Sequence, residues 1–526
     1  MTTAPRWDQR WRQQTWSGLD RHWDLVVVGG GIVGAGILRL AASVGVRALL
    51  VEQGDFASGT SSRSSQLVHG GLRYLAQGQV GLTRSAVTER ERLLRDAPGL
   101  VEPLDFLFPM YDGDRRKSLG YGAVLTAYDA LARRHGRHGI SAAELALLVP
   151  ALHPLQLSSG LRYREAVTDD ARLVLRVLRD AARHGGQVLN YAPALSLSRG
   201  KDGISGVRVR DALTGDEVDI SATVVVNATG AWADALRAEV GGESRMRPLK
   251  GSHLVFASDR FPMSIGVNVP HPEDGRVISV APWQGATVVG TTDLDHHEPL
   301  EREITVTDAE VDYLMRALDQ PFRSLGLTRA DIVSTWSGVR PTVSTGAANA
   351  SRELRSHVVW DEDGLLTVTG GKLTTFRAIA KDAVAHAAAR LPALAAARSV
   401  GPALDVPAKP AQLGREGGPV ARIRGRHGAE ARSVIAAAEA SELEPLAGTP
   451  VTLAEIRWAA RSEAVIHLDD LMLRRARLGL LVPDGGARFL PLVRMICQAE
   501  LSWDDTRWAQ EEAAYTALMA RAHSLN

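Results

Sequence analysis

Between Asp24 and Val28 a short apolar run (DLVVV) leads straight into glycines, the pattern of a strand buried on both faces. Ile32 to Ser43 then reads as a helix, and Arg47 to Glu52 (RALLVE) as a second strand, so the chain opens on a β-α-β unit. The same order of strand, small-residue turn and helix returns at Ala222 to Asn227, which runs into ATGAWAD, and at Leu365 to Thr369, which runs into GGKLTTFRAIAKDAV. These pieces lie far apart, so a sheet containing all of them belongs to a discontinuous domain. The intervening chain mixes helical patterns near Ala86 to Leu94 and Asp170 to Ala182 with strand-like runs at His253 to Ala257 and Ala286 to Thr292. Much of it reads as a second domain built on an antiparallel sheet. Leu391 to Gly418 is rich in Ala, Pro and Gly, as a linker is. Beyond it, Leu453 to Leu480 carries apolar residues at spacings of three and four, which predicts a C-terminal all-helical domain.

A chain of 526 residues, 45% of them hydrophobic, can bury more than one core. Its 61 Lys and Arg almost cancel its 60 Asp and Glu, so it lacks the basic footprint of a nucleic-acid-binding protein, and any anion recognition is local. Cys497 is the only cysteine, which excludes an internal disulfide, a Cys-x-x-Cys centre and a Cys-rich zinc site, and fits a cytoplasmic setting. No metal is expected. The first 25 residues are interrupted throughout by charge and lack a secretory pattern. Leu25 to Leu38 is too short and too glycine-rich to span a bilayer. Peripheral attachment stays open. Trp7, Trp11, Trp16 and Trp23 suit a headgroup zone, although packing of this leader on the protein's own surface is the preferred expectation.

Gly29, Gly31 and Gly34 form G-x-G-x-x-G between the first strand and its helix, and Glu52 ends the next strand. The first glycine permits the tight turn, the second admits a pyrophosphate to the backbone, and the third lets helix and strand pack closely. The helix N-terminus offers unpaired N–H groups to the phosphates, and Glu52 would take the ribose hydroxyls. NAD and FAD share this fingerprint. No second such unit is visible, which favours a flavin reduced directly by an organic substrate. FAD is therefore the expected cofactor.

The segment SSRSSQLVHGGLRYL (61–75), with GGGIVGAG ahead of it, resembles the N-terminal signature of the FAD-dependent glycerol-3-phosphate dehydrogenases, the aerobic, respiratory type with a D-amino-acid-oxidase-like fold. VTDDARLVL (167–175), VVNATGAWAD (225–234), LKGSHLVF (249–256), GTTD (290–293), SGVRP (337–341) and GGKLTTFR (370–377) follow in that family's order, and LDDLMLRRARLGL (468–480) resembles its C-terminal domain. Gln66 and Phe376 depart from the family pattern, which commonly has Lys and Tyr there. The resemblance implies an α/β fold: a discontinuous FAD-binding Rossmann-like domain with an inserted antiparallel-sheet substrate domain, plus the C-terminal helical domain. The expected boundaries are a leader at 1–22, FAD-binding segments at about 23–95, 165–240 and 355–395, substrate-domain segments at about 96–164 and 241–354, a linker at 396–418 and helices from 419 to 526.

The implied reaction oxidises sn-glycerol 3-phosphate to dihydroxyacetone phosphate and passes electrons to a membrane quinone, on the inner face of the cell membrane. An oxygen-using oxidase, an amine or amino-acid oxidase and a non-catalytic flavin-binding protein are the alternatives. A homodimer is left open. By resemblance His253 is the base, its unperturbed pKa being close to working pH. Arg73, Arg340, Arg352 and Lys372 supply cations for the phosphate, with Arg73, Arg340 and Lys372 also counted catalytic, and Tyr74 contacts substrate or flavin. Thr60, Ser61, Ser65, His69, Gly70, Gly230, Gly371, Leu373 and Thr374 complete the expected cofactor contacts, with Thr374 and Thr375 opening a helix toward the flavin.

Overall fold

The computed structural model describes residues 5–525 apart from 77, 113–114, 132–138, 155–156, 347–352, 354–355, 403 and 415–416. The separated strand-turn-helix pieces do share one sheet. Its spatial order is His357–Glu362, Leu365–Gly370, Glu217–Asn227, Trp23–Val28, Ala48–Val51, Gln187–Leu189. Trp23–Val28 pairs in parallel with strands on both sides, and Leu25, Val26 and Val27 are fully buried, which is why that run is continuously apolar rather than alternating. A hairpin, Ala194–Gly200 with Gly203–Arg210, pairs onto the first half of Glu217–Asn227. Helix Ile32–Ser43 packs between Asp170–Arg183 and Phe376–Ala387 in the core under this sheet.

The second sheet runs Leu294–Asp295, Met246–Ala257, Ala286–Gly290, Val277–Trp283, Gly266–Pro270, Val101–Tyr111, Leu157–Thr168, Gly139–Ser141, and Ile332–Val343 lies on the other side of Met246–Ala257. It is antiparallel except for a short parallel pairing of Gly266 and Val267 with Phe106 and Leu107. That exception arises where strands from two separate stretches of chain close one sheet.

The C-terminal region is helical, but Leu453 to Leu480 is not one helix. Leu453–Ser462 ends before Ala464, which has φ +55°, and a wider helical turn, Asp470–Arg475, leads to Arg477 at φ +63°. Buried Asp470 accepts the N–H groups of Ile466 and His467 and so restarts the chain, while Arg474, Arg475 and Arg477 turn inward toward acids of the other domain. The core of this region includes Val255, Trp283, Ala286, Val288 and Trp336 of the second sheet.

The leader packs on the protein itself. Trp7 is 1% exposed and exchanges backbone hydrogen bonds with Ser462 and Ala464, and Arg12 of helix Gln9–Trp16 reaches Asp211 at 2.7 Å. Trp23 is fully buried, so neither it nor Trp7 is available to a lipid headgroup. In the Ala- and Pro-rich segment, Leu404 and Asp405 are buried, and Asp405 pairs with Arg176 at 3.0 Å, so this stretch is anchored to helix Asp170–Arg183.

Candidate active site

A cavity of about 920 Å³ opens where the C-terminal ends of the parallel strands face the second sheet. That is the place where an open α/β sheet leaves a crevice for ligand. At one end lies the glycine turn. Gly29 has φ +115°, and a Cβ there would stand 2.5 Å from the Ala228 carbonyl oxygen. At Gly34 a Cβ would stand 2.0 Å from the Gly29 carbonyl oxygen, so Gly34 serves the close packing of helix on strand and does not line the cavity. Gly31 does line it, with Ser61 opposite, whose hydroxyl accepts the Ile32 N–H at 3.0 Å. The Glu52 carboxylate accepts N–H bonds from Gly30 at 2.6 Å and Gly54 at 2.9 Å, bracing the turn as well as facing the cavity. The residues present fit a dinucleotide: Gly29, Gly31, the N-terminus of helix Ile32–Ser43 and the Glu52 carboxylate line one end of the cavity together.

Farther in, Thr60 donates to the Val339 carbonyl, Gly230 at φ +63° accepts from Thr369 at 3.0 Å, and Gly371 at φ +76° faces His357 and Ile379. Leu373 lines the wall. Thr374 donates to the His69 carbonyl at 3.2 Å and Thr375 to the Lys372 carbonyl at 3.3 Å, so both hydroxyls are engaged with backbone in the short turn that precedes helix Phe376–Ala387. Gly70 sits behind the wall: its N–H donates to Glu165 at 2.9 Å, and a Cβ would collide with the Tyr128 hydroxyl.

At the other end, neighbouring strands of the second sheet place His253 and Arg340 on the same face. His253 pairs with Trp336, Gly251 with Gly338, and Arg340 with Leu249 in the antiparallel register, and His253 also pairs with Gly290 across the next strand. Side chains alternate along a strand, so Gly251, His253, Trp336, Gly338 and Arg340 project together. Gly251 and Gly338 among these, and Gly290 opposite His253, are glycines for a steric reason. A Cβ at Gly251 would lie 2.2 Å from the Arg340 guanidinium, one at Gly290 2.3 Å from the His253 ring, and one at Gly338 2.8 Å from Arg63.

The Arg340 guanidinium donates to Asp293 at 3.1 Å, to the Thr291 hydroxyl at 3.0 Å and to the Thr292 carbonyl at 3.3 Å. Asp293 also pairs with Arg276 at 3.2 Å, so one carboxylate holds two guanidinium groups at the cavity wall. Lys372 stands 3.5 Å from the centre of the Tyr74 ring, and Tyr74 stacks with His69 at 6.5 Å. His253 is 2% exposed and stacks on Trp336 at 5.2 Å. Its Nε2 lies 2.8 Å from the Ser65 hydroxyl, and its Nδ1 has no hydrogen-bond partner among the described residues. Burial, and then the positive charge of Arg340, push its pKa down to about 3, so the ring is neutral at ordinary pH.

The cavity thus gathers His253, Arg340, Lys372, Tyr74, His69 and Ser65 from distant parts of the chain. The Arg73 side chain and all of Arg352 lie outside the described residues. Arg276, Asp293 and the glycine floor were not singled out in the sequence. The signal for the last was present: KGSH, GTTD and SGVRP each carry a glycine one or two positions from a chemically active or supporting residue.

The profile of a family described as FAD dependent oxidoreductase matches residues 24–386, and that of the C-terminal domain of alpha-glycerophosphate oxidase matches residues 406–508. The chain is 35% identical to a glycerol-3-phosphate dehydrogenase of Mycobacterium leprae, over 98% of this chain and 92% of that one. The structure is similar to that of the glycerol-3-phosphate dehydrogenase from Bacillus halodurans complexed with FAD, with a TM-score of 0.76 and 27% identity over 98% and 97% of the two chains. It shares its fold with the L-alpha-glycerophosphate oxidase of Mycoplasma pneumoniae with FAD bound, with a TM-score of 0.55 and 19% identity over 69% of this chain and 94% of that one.

Proposed function

Since the chain belongs to the glycerol-3-phosphate dehydrogenase family of FAD-dependent oxidoreductases, we propose that it oxidises sn-glycerol 3-phosphate to dihydroxyacetone phosphate and that its electrons go to a membrane quinone. The observation that carries this reading is a single cavity holding both a nucleotide cradle and a neutral histidine beside a cluster of cations.

FAD would be held at Gly29, Gly31, Glu52 and Ser61, with Gly371 and Leu373 along the inner wall. When bound, the flavin supplies a two-electron acceptor for the hydride of the alcohol carbon. Arg340 and Arg276 present guanidinium forks to the substrate phosphate, and Lys372 adds a point charge. His253 takes the hydroxyl proton on its neutral imidazole. Burial depresses its pKa most and the charge of Arg340 adds to it, so a phosphate dianion beside that guanidinium raises the proton affinity of the base by offsetting the second cause.

A lipid-soluble acceptor requires contact with the membrane surface; among the described residues no helix is long and apolar enough to cross a membrane. The relative from Mycobacterium leprae is named a dehydrogenase, which favours an acceptor other than oxygen. The test is anaerobic mixing of the FAD-loaded protein with glycerol 3-phosphate, lactate and an amino acid. Glycerol 3-phosphate alone should bleach the flavin, and a quinone analogue should restore the colour faster than air does. Absence of bleaching would overturn the reaction, and rapid reoxidation by air with peroxide release would move the acceptor to oxygen.

A further inference from the structure

Catalysis as described leaves the C-terminal helices without a task, yet Arg477 of that region reaches into the other domain. It is 1% exposed and donates to Asp169 at 3.1 Å, to Asp170 and to the Ser62 carbonyl at 2.9 Å. Asp170 accepts the Ser64 N–H at 2.9 Å through its other oxygen, so the turn is gripped at both Ser62 and Ser64. The next residue is Ser65, whose hydroxyl meets His253 Nε2 at 2.8 Å. On the far side, Trp336 stacks on His253 and donates its indole N–H to the Ser64 carbonyl at 3.1 Å. The stretch Ser61 to Ser65 (SSRSS) has no apolar side chain with which to anchor itself, so hydrogen bonds from its surroundings set its place.

We propose that Arg477, acting with Asp170, is a positioning residue for the reaction: it fixes the 62–65 turn so that the Ser65 hydroxyl orients the His253 imidazole. This gives the helical domain a part in catalysis, and it rests on His253 being the group that takes the substrate proton. Arginine suits the task because one rigid guanidinium serves two carbonyls, of Ser62 and Leu473, and two carboxylates at once, which the point charge of a lysine does not.

Arg477→Lys and Asp170→Asn test this, each alone and combined with Ser65→Ala. The readouts are the rate of anaerobic flavin reduction by glycerol 3-phosphate, KM, bound FAD and melting temperature. Each variant should reduce flavin about tenfold more slowly, because misplacing a catalytic group by a fraction of an ångström is that costly, with KM changed less than about threefold. On the Ser65→Ala background neither should slow the reaction further, since the hydroxyl they orient is gone. Asp170→Asn keeps the shape of the side chain and leaves Arg477 its bond to Asp169, so it decides the matter if Arg477→Lys does not accumulate folded. Losses that multiply on the Ser65→Ala background, or that follow loss of FAD or of melting temperature, would overturn the proposal. If the unaltered protein is not bleached by glycerol 3-phosphate, the functional reading has failed; if it is bleached and the losses multiply, only the positioning role has.

Discussion

Gly251 acts through the atoms it lacks. Arg340 reaches Asp293 and Thr291 only by lying across the place where a side chain at 251 would project. The end of an arginine is flexible, so Gly251→Ala should leave the fold and bound FAD intact while displacing the guanidinium from its partners. We expect kcat/KM for glycerol 3-phosphate to fall about 10- to 100-fold with little change in melting temperature. Steady-state kinetics beside a flavin-to-protein ratio check this; unchanged kinetics would mean that Arg340 is not needed where it stands. His253 poses a related point of chemistry: its pKa near 3 comes first from burial and second from Arg340, and an anion beside Arg340 offsets the second. The cation cluster therefore holds the phosphate, and the bound phosphate in turn offsets the part of the depression that Arg340 causes.

The first strand and its helix are joined by contacts of two kinds, and the glycines separate them. At Gly34 an added methyl would meet a backbone carbonyl at 2.0 Å, which cannot move without shifting the helix from the strand. At Gly31 the nearest obstacle is the Ser61 hydroxyl at 3.1 Å, a side chain able to rotate away. Gly34→Ala should thus lose folded protein, whereas Gly31→Val should fold but stay colourless because its side chain fills the cradle. Thermal melts with flavin absorbance distinguish the two, and a yellow Gly31→Val protein would argue against pyrophosphate at this turn. The wider turn at Asp470–Arg475 shows a different logic, in which helix regularity is given up so that Arg474 and Arg475 both reach Asp55.

Across the whole molecule, the two halves are joined by buried ion pairs, among them Arg475 with Asp55 at 2.6 Å and Arg172 with Glu463 at 2.6 Å. Losing one partner of such a pair is costly because the other charge stays buried. Buried histidines add a pH dependence of definite sign. His253 is held down to about 3, His523 to about 4, and His427 well below its usual value, in each case chiefly by burial. The unfolded chain binds protons on these rings below about pH 6.5 and the folded one does not, so stability present above that pH is lost as it falls toward the folded values. Asp470, raised to about 6 by burial and by Asp55, acts in the opposite sense. The melting temperature should therefore drop between about pH 6.5 and 4, and His427→Phe should reduce the drop by removing one proton acceptor from the unfolded chain. An equal drop in that variant would place the acid sensitivity elsewhere.

The β-α-β opening, the discontinuous sheet and the helical C-terminal region were legible because each rests on local rules: apolar runs for buried strands, threes and fours for helices, glycines where a turn is tight. Motif order marked the strands that carry His253 and Arg340. It did not mark Arg276, and it carried Asp293 only as the end of GTTD without a role, since both matter through the Asp293 carboxylate that meets Arg340 and Arg276; nor did it mark Ser65 as a partner of a histidine 188 residues away. For Trp7 the residue pattern favours packing on the protein's own surface over lipid but does not name its partners, Ser462 and Ala464. Residue pattern by itself determined which segments become strands and helices and where a nucleotide can approach the backbone, because those depend on sterics and hydrophobicity over a few residues. Tertiary structure alone decided which charges face one another and which rings stay dry, because desolvation and hydrogen bonding depend on neighbours that only folding brings together.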